Sequence, residues 1–144
     1  MRLLDVNVLL AAHRDDHPDF KLAKPWLDTL LASGKRFGVP WMVWWSFLRL
    51  ATDRRVFPVP TPVPHALEFI VAVRAQPGHL AAEPGDRHLE CLSAMCENGE
   101  ATGDLLPDAT LAAIAMETGS EVVSFDRDFG RFIDLAWHRP GAQP

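Results

Sequence analysis

The first ten residues, Met1-Arg2-Leu3-Leu4-Asp5-Val6-Asn7-Val8-Leu9-Leu10, decide the fold of this chain. Residues 2–5 are a short hydrophobic run that predicts a buried strand, and residues 6–12 continue as a stretch rich in Leu and Ala that favours a helix. Asp5 lies at the junction. In an open parallel sheet, ligands bind in the crevice beyond the carboxyl ends of the strands. We therefore expect Asp5 to face a binding crevice.

The rest of the sequence repeats this alternation of strand and helix. Its apolar spacing and its breaks predict further helices over residues 20–32, 41–52, 65–75, 86–97 and 107–118, and further strands over 37–39, 79–82, 121–124 and 135–138. Four prolines within residues 57–64 predict an extended connector inside the domain. The Asn98-Gly99 pair and Gly119 are expected to end the two helices that precede them. Such alternation indicates an α/β fold with a mostly parallel sheet.

Length and composition indicate one domain. The chain has 144 residues, of which 48% are hydrophobic, and this fits a single core over residues 1–138. Residues 139–144 have nothing to bury and are expected to form a frayed tail. No apolar run is long enough to cross a membrane and no signal peptide is evident, which predicts a cytoplasmic protein. Cys91 and Cys96 point to different faces of one predicted helix, so we expect both to be free.

The net charge of −5 argues against indiscriminate binding to nucleic acid. If several acids converge on one pocket, however, the remaining surface can still carry a local basic strip. The first half of the chain contains the cations for such a strip, at Lys35-Arg36, Arg49 and Arg54-Arg55. These residues are equally compatible with ordinary solvated surface charge.

Three windows place an aspartate at the end of an apolar element: Leu3-Leu4-Asp5, Leu105-Leu106-Pro107-Asp108, and Val122-Val123-Ser124-Phe125-Asp126-Arg127-Asp128. If the fold brought them together, their carboxylates would repel one another unless a cation lay among them. Oxygen ligands without Cys or paired His favour Mg²⁺, or Mn²⁺ as a substitute, over zinc. Taken alone, Asp108 could be an acid that interacts favourably with the dipole of its helix, and Asp126 could cap a short turn. Asp5 is harder to explain without a partner.

These windows closely resemble the PIN-domain ribonucleases of the VapC toxin type. The resemblance rests on Leu3–Leu9, Pro107–Ala113 and Val123–Phe129 and extends over essentially the whole chain. It implies a PIN-like three-layer α/β/α sandwich and a Mg²⁺-dependent endoribonuclease site. It also implies a homodimer and inhibition by a VapB-type antitoxin.

The resemblance also assigns roles to individual residues. Asp5 and Asp108 correspond to the principal metal ligands, and Asp126 to a further acid of the same metal-binding and catalytic cluster. Asn7 and Ser124 match small polar positions that orient a carboxylate. Asp128 is close enough to Asp126 in sequence to contribute a carboxylate to the same cluster.

One position departs from the family pattern. Many members carry a glutamate on the helix after the second strand, where this chain has Ser46. Asp53 lies seven residues further along that helix, roughly 10 Å away, and cannot replace the missing acid. Asp104, on the loop before the Pro107 helix, is the better candidate. The departure leaves the number of bound metals open.

We therefore expect a Mg²⁺-dependent endoribonuclease that acts on single-stranded or looped RNA, with Arg49 as a candidate clamp for the substrate phosphate. Trp41, Trp44 and Trp45 could stack on a base or pack in the core or a dimer interface. An alternative is a catalytically weakened module that binds RNA or protein, because Ser46 replaces an acid. A haloacid-dehalogenase-type phosphohydrolase requires a second aspartate where Asn7 stands, and no lysine is suitably placed for its later motifs.

Overall fold

The computed structural model describes residues 1–141 of the chain. The predicted elements are present, and their observed bounds are as follows. The strands are β1 Arg2–Leu4, β2 Phe37–Gly38, β3 His79–Leu80, β4 Glu121–Val123 and β5 Trp137–His138. The α-helices are α1 Val6–His13, α2 Phe20–Ala32, α3 Trp41–Ala51, α4 Val63–Arg74, α5 His88–Gly99 and α6 Leu106–Thr118. Short 3-10 turns span Gly103–Leu105 and Arg127–Arg131.

The five strands form one sheet in the order β3-β2-β1-β4-β5, and every pair is parallel. Leu3 and Leu4 point to opposite faces of β1, yet both are fully buried. The same holds for Val122 and Val123 on β4. Because both faces of the sheet are covered by helices, the predicted three-layer α/β/α sandwich is confirmed.

The strand order also fixes where a site can form. From β1 the chain proceeds outward to β2 and β3, and it then returns to build β4 and β5 on the other side of β1. The order therefore reverses between β1 and β4, and the crevice at their carboxyl ends is the switch point at which open α/β sheets bind ligands. Asp5 follows β1 directly, and its backbone N–H donates to the carbonyl of Val123 at the end of β4 at 3.0 Å.

Two helix ends differ from the sequence prediction. Helix α4 begins at Val63, inside the proline connector, because Pro64 falls in its first turn, where proline needs no hydrogen-bonded N–H. Helix α5 includes Gly99, and the left-handed cap falls on Glu100 with φ 49°. Gly99 serves another purpose, since a Cβ at this position would lie 2.5 Å from the ring of Phe132. Gly119 does cap α6 in the left-handed conformation, as predicted.

Several smaller expectations fall on the described residues. Cys91 and Cys96 are both free, which confirms that prediction. Among residues 1–141, no helix is long and apolar enough to cross a membrane. The predicted frayed tail lies partly outside the described residues, at 142–144; Pro140, before that point, is buried.

Candidate functional site

Asp5 is a buried carboxylate that caps a helix. Its side chain is only 7% exposed, and the residue is the N-cap of α1. The Oδ1 atom accepts a hydrogen bond from the N–H of Val6 at 2.6 Å, and Oδ2 accepts one from the hydroxyl of Ser124 at 2.6 Å. Each carboxylate oxygen has a second lone pair, so both remain able to bind a cation.

A small polar network holds this carboxylate in place. The Ser124 hydroxyl, fully buried, accepts hydrogen bonds from the Asn7 side-chain amide and from the N–H of Asp126, each at 2.9 Å. The side-chain oxygen of Asn7, Oδ1, in turn accepts a hydrogen bond from the N–H of Phe125 at 3.1 Å. Because its acceptor sites are taken, the Ser124 hydroxyl proton is directed at Asp5. Asn7 and Ser124 thus lie where the sequence predicted, joining the ends of β1 and β4.

The second carboxylate, Asp108, lies in the first turn of α6. Partial burial is the main cause that raises its pKa from an ordinary value of 3.8 to about 7, and the negative charges of Asp5, Asp126 and Asp128 add to this effect. The pKa of Asp5 rises to about 6, because burial outweighs the hydrogen bonds from Ser124 and Val6 that favour the charged form. Without a cation, these two acids share a site in which full ionisation is unfavourable.

Asp5 and Asp108 face one small cavity of about 50 Å³, which is room for one or two species the size of a water molecule. Ser46 on α3 is the third polar residue of its lining. The other walls are apolar, formed by Val6, Met42, Val43, Pro107 and Leu111. Ser46, where the family resemblance predicts an acid, therefore lines the same cavity as the two carboxylates.

The remaining predicted acids lie outside this cavity. Asp126 is exposed and caps the turn at Arg127–Arg131 by accepting from the N–H of Asp128 at 2.8 Å. Asp126 and Asp128 are nevertheless close enough to raise the pKa of Asp108 by their charge. Asp104 is exposed on the turn before α6 and does not line the cavity.

The chemistry of the donors suits a hard divalent cation. Within residues 1–141, no three His, Cys, Asp or Glu side chains are gathered closely enough to hold a metal ion by themselves. Mg²⁺ does not require such a cage, since it is usually bound by one or two carboxylates and keeps several waters. One buried and one partly buried carboxylate, both with raised pKa values, and a hydroxyl at one cavity therefore fit Mg²⁺ or Mn²⁺.

The sequence predicted the polar residues of the site better than its walls. Met42 and Leu111 carry no motif of their own, because an apolar residue on a helix is equally well explained by the core. A signal does exist in the spacing: Met42 and Ser46 are four residues apart and share one face of α3, and Asp108 and Leu111 are three apart on α6.

The sequence profile of the PIN domain matches residues 2–135, which is nearly the whole chain. A parallel sheet with carboxylates at its switch point agrees with that match. The chain therefore belongs to the PIN-domain family.

Two relatives of high sequence identity show which type of PIN domain this chain has. Ribonuclease VapC25 of Mycobacterium tuberculosis is 54% identical over 140 residues, covering 97% of this chain and 99% of the relative. Ribonuclease VapC31 of the same species is 55% identical over the same share of both chains. Within the PIN domains, this protein is thus of the VapC type.

A solved structure shows the same fold at low identity. A chain of a toxin-antitoxin complex from Klebsiella pneumoniae superposes with a TM-score of 0.62 at 16% identity, covering 94% of this chain and 96% of that one. At this identity the likeness extends to the fold alone.

Proposed function

We propose that this protein is a Mg²⁺-dependent endoribonuclease, with Mn²⁺ as a possible substitute, and acts as the toxin of a toxin-antitoxin pair. The observation that supports the proposal most is the convergence of Asp5 and Asp108, both with raised pKa values, on one cavity at the sheet switch point. Its relatives VapC25 and VapC31 are ribonucleases by name, and this supplies the substrate class.

In this proposal Asp5 and Asp108 hold the cation. When bound, a divalent cation neutralises charge on the scissile phosphodiester and makes a water molecule more acidic. Asp126, exposed beside the cavity, positions the attacking water and accepts its proton. Asp128 adds negative charge near Asp108. Arg49 binds a phosphate of the substrate.

Ser124 and Asn7 are positioning residues. Their hydrogen-bonded chain fixes the Oδ2 atom of Asp5, so the carboxylate is oriented before the cation arrives. Outer partners of this kind typically change metal affinity or activity by about 10- to 100-fold when removed.

The partner of the pair is an antitoxin of the VapB type. The support is indirect: the fold is shared with a chain of a toxin-antitoxin complex. The protein is also proposed to form a homodimer, as its family resemblance implies.

The test is cleavage of a labelled, partly single-stranded RNA by purified protein with Mg²⁺. Asp5→Asn and Asp108→Asn are each expected to abolish cleavage, because either change removes a carboxylate of the cation site. Asp104→Asn is the matched control: its carboxylate is exposed and outside the cavity, and cleavage should persist. Undiminished cleavage in either of the first two variants would overturn the proposal.

Ser46 favours a second candidate, a PIN-fold module that binds RNA or protein without cutting. A hydroxyl at this position cannot supply the charge of the acid that many family members carry. The same cleavage assay decides between the two, since the second candidate predicts RNA binding by the wild type with no cleavage at any Mg²⁺ concentration.

A further inference from the structure

Helix α3 exposes one of its two adjacent tryptophans. Trp44 is buried, whereas Trp45 is 66% exposed. A large aromatic side chain left in water gives up most of the stabilisation that burial would provide. The exposed indole is therefore available to contact another molecule.

Trp45 borders the candidate active site. It directly precedes Ser46, and Met42 and Ser46 both line the cavity that contains the two aspartates. Successive residues of a helix are about 100° apart around its axis. The outward row of α3 that contains Trp45 and Arg49 is therefore next to the row that forms the cavity wall.

Arg49 lies one turn after Trp45 on that row, and its guanidinium carbon is 5.9 Å from the centre of the Trp45 ring. Arg49 forms no hydrogen bond or ion pair with any residue between 1 and 141. The nearby Asp53 is already bound by Arg55. Hydrogen bonds from Arg55, with a smaller contribution from the charge of Arg49, lower the pKa of Asp53 to about 2. Arg49 thus keeps its N–H donors available.

An apolar groove between α3 and α4 does not account for Trp45. This groove, of about 420 Å³, is lined by Trp41, Leu48, Leu67, Val71 and neighbouring side chains, and Trp45 is not among them. Trp45 instead presents a largely exposed ring, with the Arg49 guanidinium over one face of it, beside the cavity that contains the two aspartates.

We propose that Trp45 and Arg49 form a subsite for one unpaired nucleotide of the RNA substrate, with the indole stacked on the base and the guanidinium bound to an adjacent phosphate. The inference rests on the proposed ribonuclease function, which requires a polyanion to approach the aspartates. Stacking on an aromatic side chain tolerates any base but requires that the base be unpaired. The subsite therefore selects single-stranded RNA.

The test is fluorescence anisotropy of a fluorescein-labelled 12-nucleotide RNA of mixed sequence, as a single strand and as a duplex, in EDTA so that the RNA stays intact. Trp45→Ala is expected to weaken single-strand binding about tenfold and duplex binding little, whereas Trp45→Phe retains most of the affinity. Arg49→Gln should weaken binding and reduce the salt dependence by about one phosphate contact.

Two variants on other surfaces are controls. Leu89→Ala alters a side chain that is 79% exposed on α5. Arg36→Gln removes one positive charge before β2, at the amino edge of the sheet, away from the site. Both should bind RNA as the wild type does. Unchanged single-strand affinity in Trp45→Ala, or an equal loss in the controls, would overturn the subsite.

Two further readouts separate this inference from its alternatives. With Mg²⁺, Trp45→Ala should raise KM for single-stranded RNA and leave kcat nearly unchanged. If the wild type binds RNA but never cleaves it, the proposed ribonuclease activity is refuted. The anisotropy comparison of wild type and Trp45→Ala then still decides whether the subsite exists. A lower mass in light scattering for Trp45→Ala, with RNA affinity unchanged, would assign Trp45 to a protein interface and overturn the inference.

Discussion

Ser124 joins two segments of the chain, residues 5–7 and 124–126, through one hydroxyl group. It donates to Asp5 and accepts from Asn7 and from the backbone of Asp126. Polarity alone does not predict this arrangement, although the family resemblance assigns Asn7 and Ser124 the role of orienting a carboxylate. The arrangement follows from the parallel register, which places the residue after β4 beside the residue after β1.

Removal of the Ser124 hydroxyl should weaken the site without removing a ligand. In Ser124→Ala, we expect RNA cleavage to fall about 10- to 100-fold and the Mg²⁺ concentration for half-maximal rate to rise, because Asp5 loses the bond that orients it. A Mg²⁺ titration of the cleavage rate measures both. Ser120→Ala, at the amino end of the same strand, is the control and should behave as the wild type. An unchanged Mg²⁺ requirement in Ser124→Ala would contradict this role.

The raised pKa values of Asp5 and Asp108 predict how the metal-free protein responds to pH. A group whose pKa is higher in the folded than in the unfolded state contributes stability that is present at low pH and is lost as the pH rises through the folded value. For these aspartates the window runs from about pH 4 to about pH 7. Ionisation at pH 8 thus disfavours the folded metal-free state.

Asp108→Asn removes the ionisation of the Asp108 carboxyl. In EDTA at pH 8, the variant should therefore have a higher melting temperature than the wild type, and this difference should shrink by pH 5. A difference of about 1 kcal/mol corresponds to roughly 4 °C in a domain of this size. Burial lowers the pKa of His13, His79 and His138, but both proteins contain these histidines and their effect cancels. A melting difference that did not vary with pH would refute the assignment.

Helix α3 combines three functions on three of its faces. Trp44 and Phe47 pack in the core, Met42 and Ser46 line the cavity, and Trp45 faces solvent. Hydrophobic spacing alone could not separate these faces, since apolar residues surround the helix. In the folded protein, burial separates Trp44 from Trp41 and Trp45, which the sequence could not do.

Ser46→Glu tests whether the cavity is a cation site that lacks one acid. A third carboxylate beside Asp5 and Asp108 should destabilise the metal-free protein by like-charge repulsion. Mg²⁺ should restore the melting temperature and bind more tightly than in the wild type. Ser46→Gln has similar bulk without charge and serves as the control, with no stabilisation by Mg²⁺ beyond that of the wild type. If Mg²⁺ raised the melting temperatures of the two variants equally, a carboxylate at position 46 would not interact with a bound cation, and the prediction would be wrong.

For the molecule as a whole, the sequence predicted the fold and the place of Asp5 at the end of β1 for one physical reason. A carboxylate that ends a buried strand in a parallel sheet has few places to point, and β1 and β4 are adjacent at the switch point. Positions set by packing between distant elements were not predictable. The sequence predicts Gly99 as a helix stop and α5 does end there, but the close approach of Phe132 is what requires glycine at this position.

The central claim is that Asp5 and Asp108 jointly bind one divalent cation. Cation binding to two carboxyl groups with raised pKa values must release protons near neutral pH. Isothermal titration of Mg²⁺ into metal-free protein at pH 6.5, in two buffers of different ionisation enthalpy, measures that release directly. The account predicts one site with a buffer-dependent heat, lost in Asp5→Asn and in Asp108→Asn. Binding that released no protons, or that survived both substitutions, would contradict it.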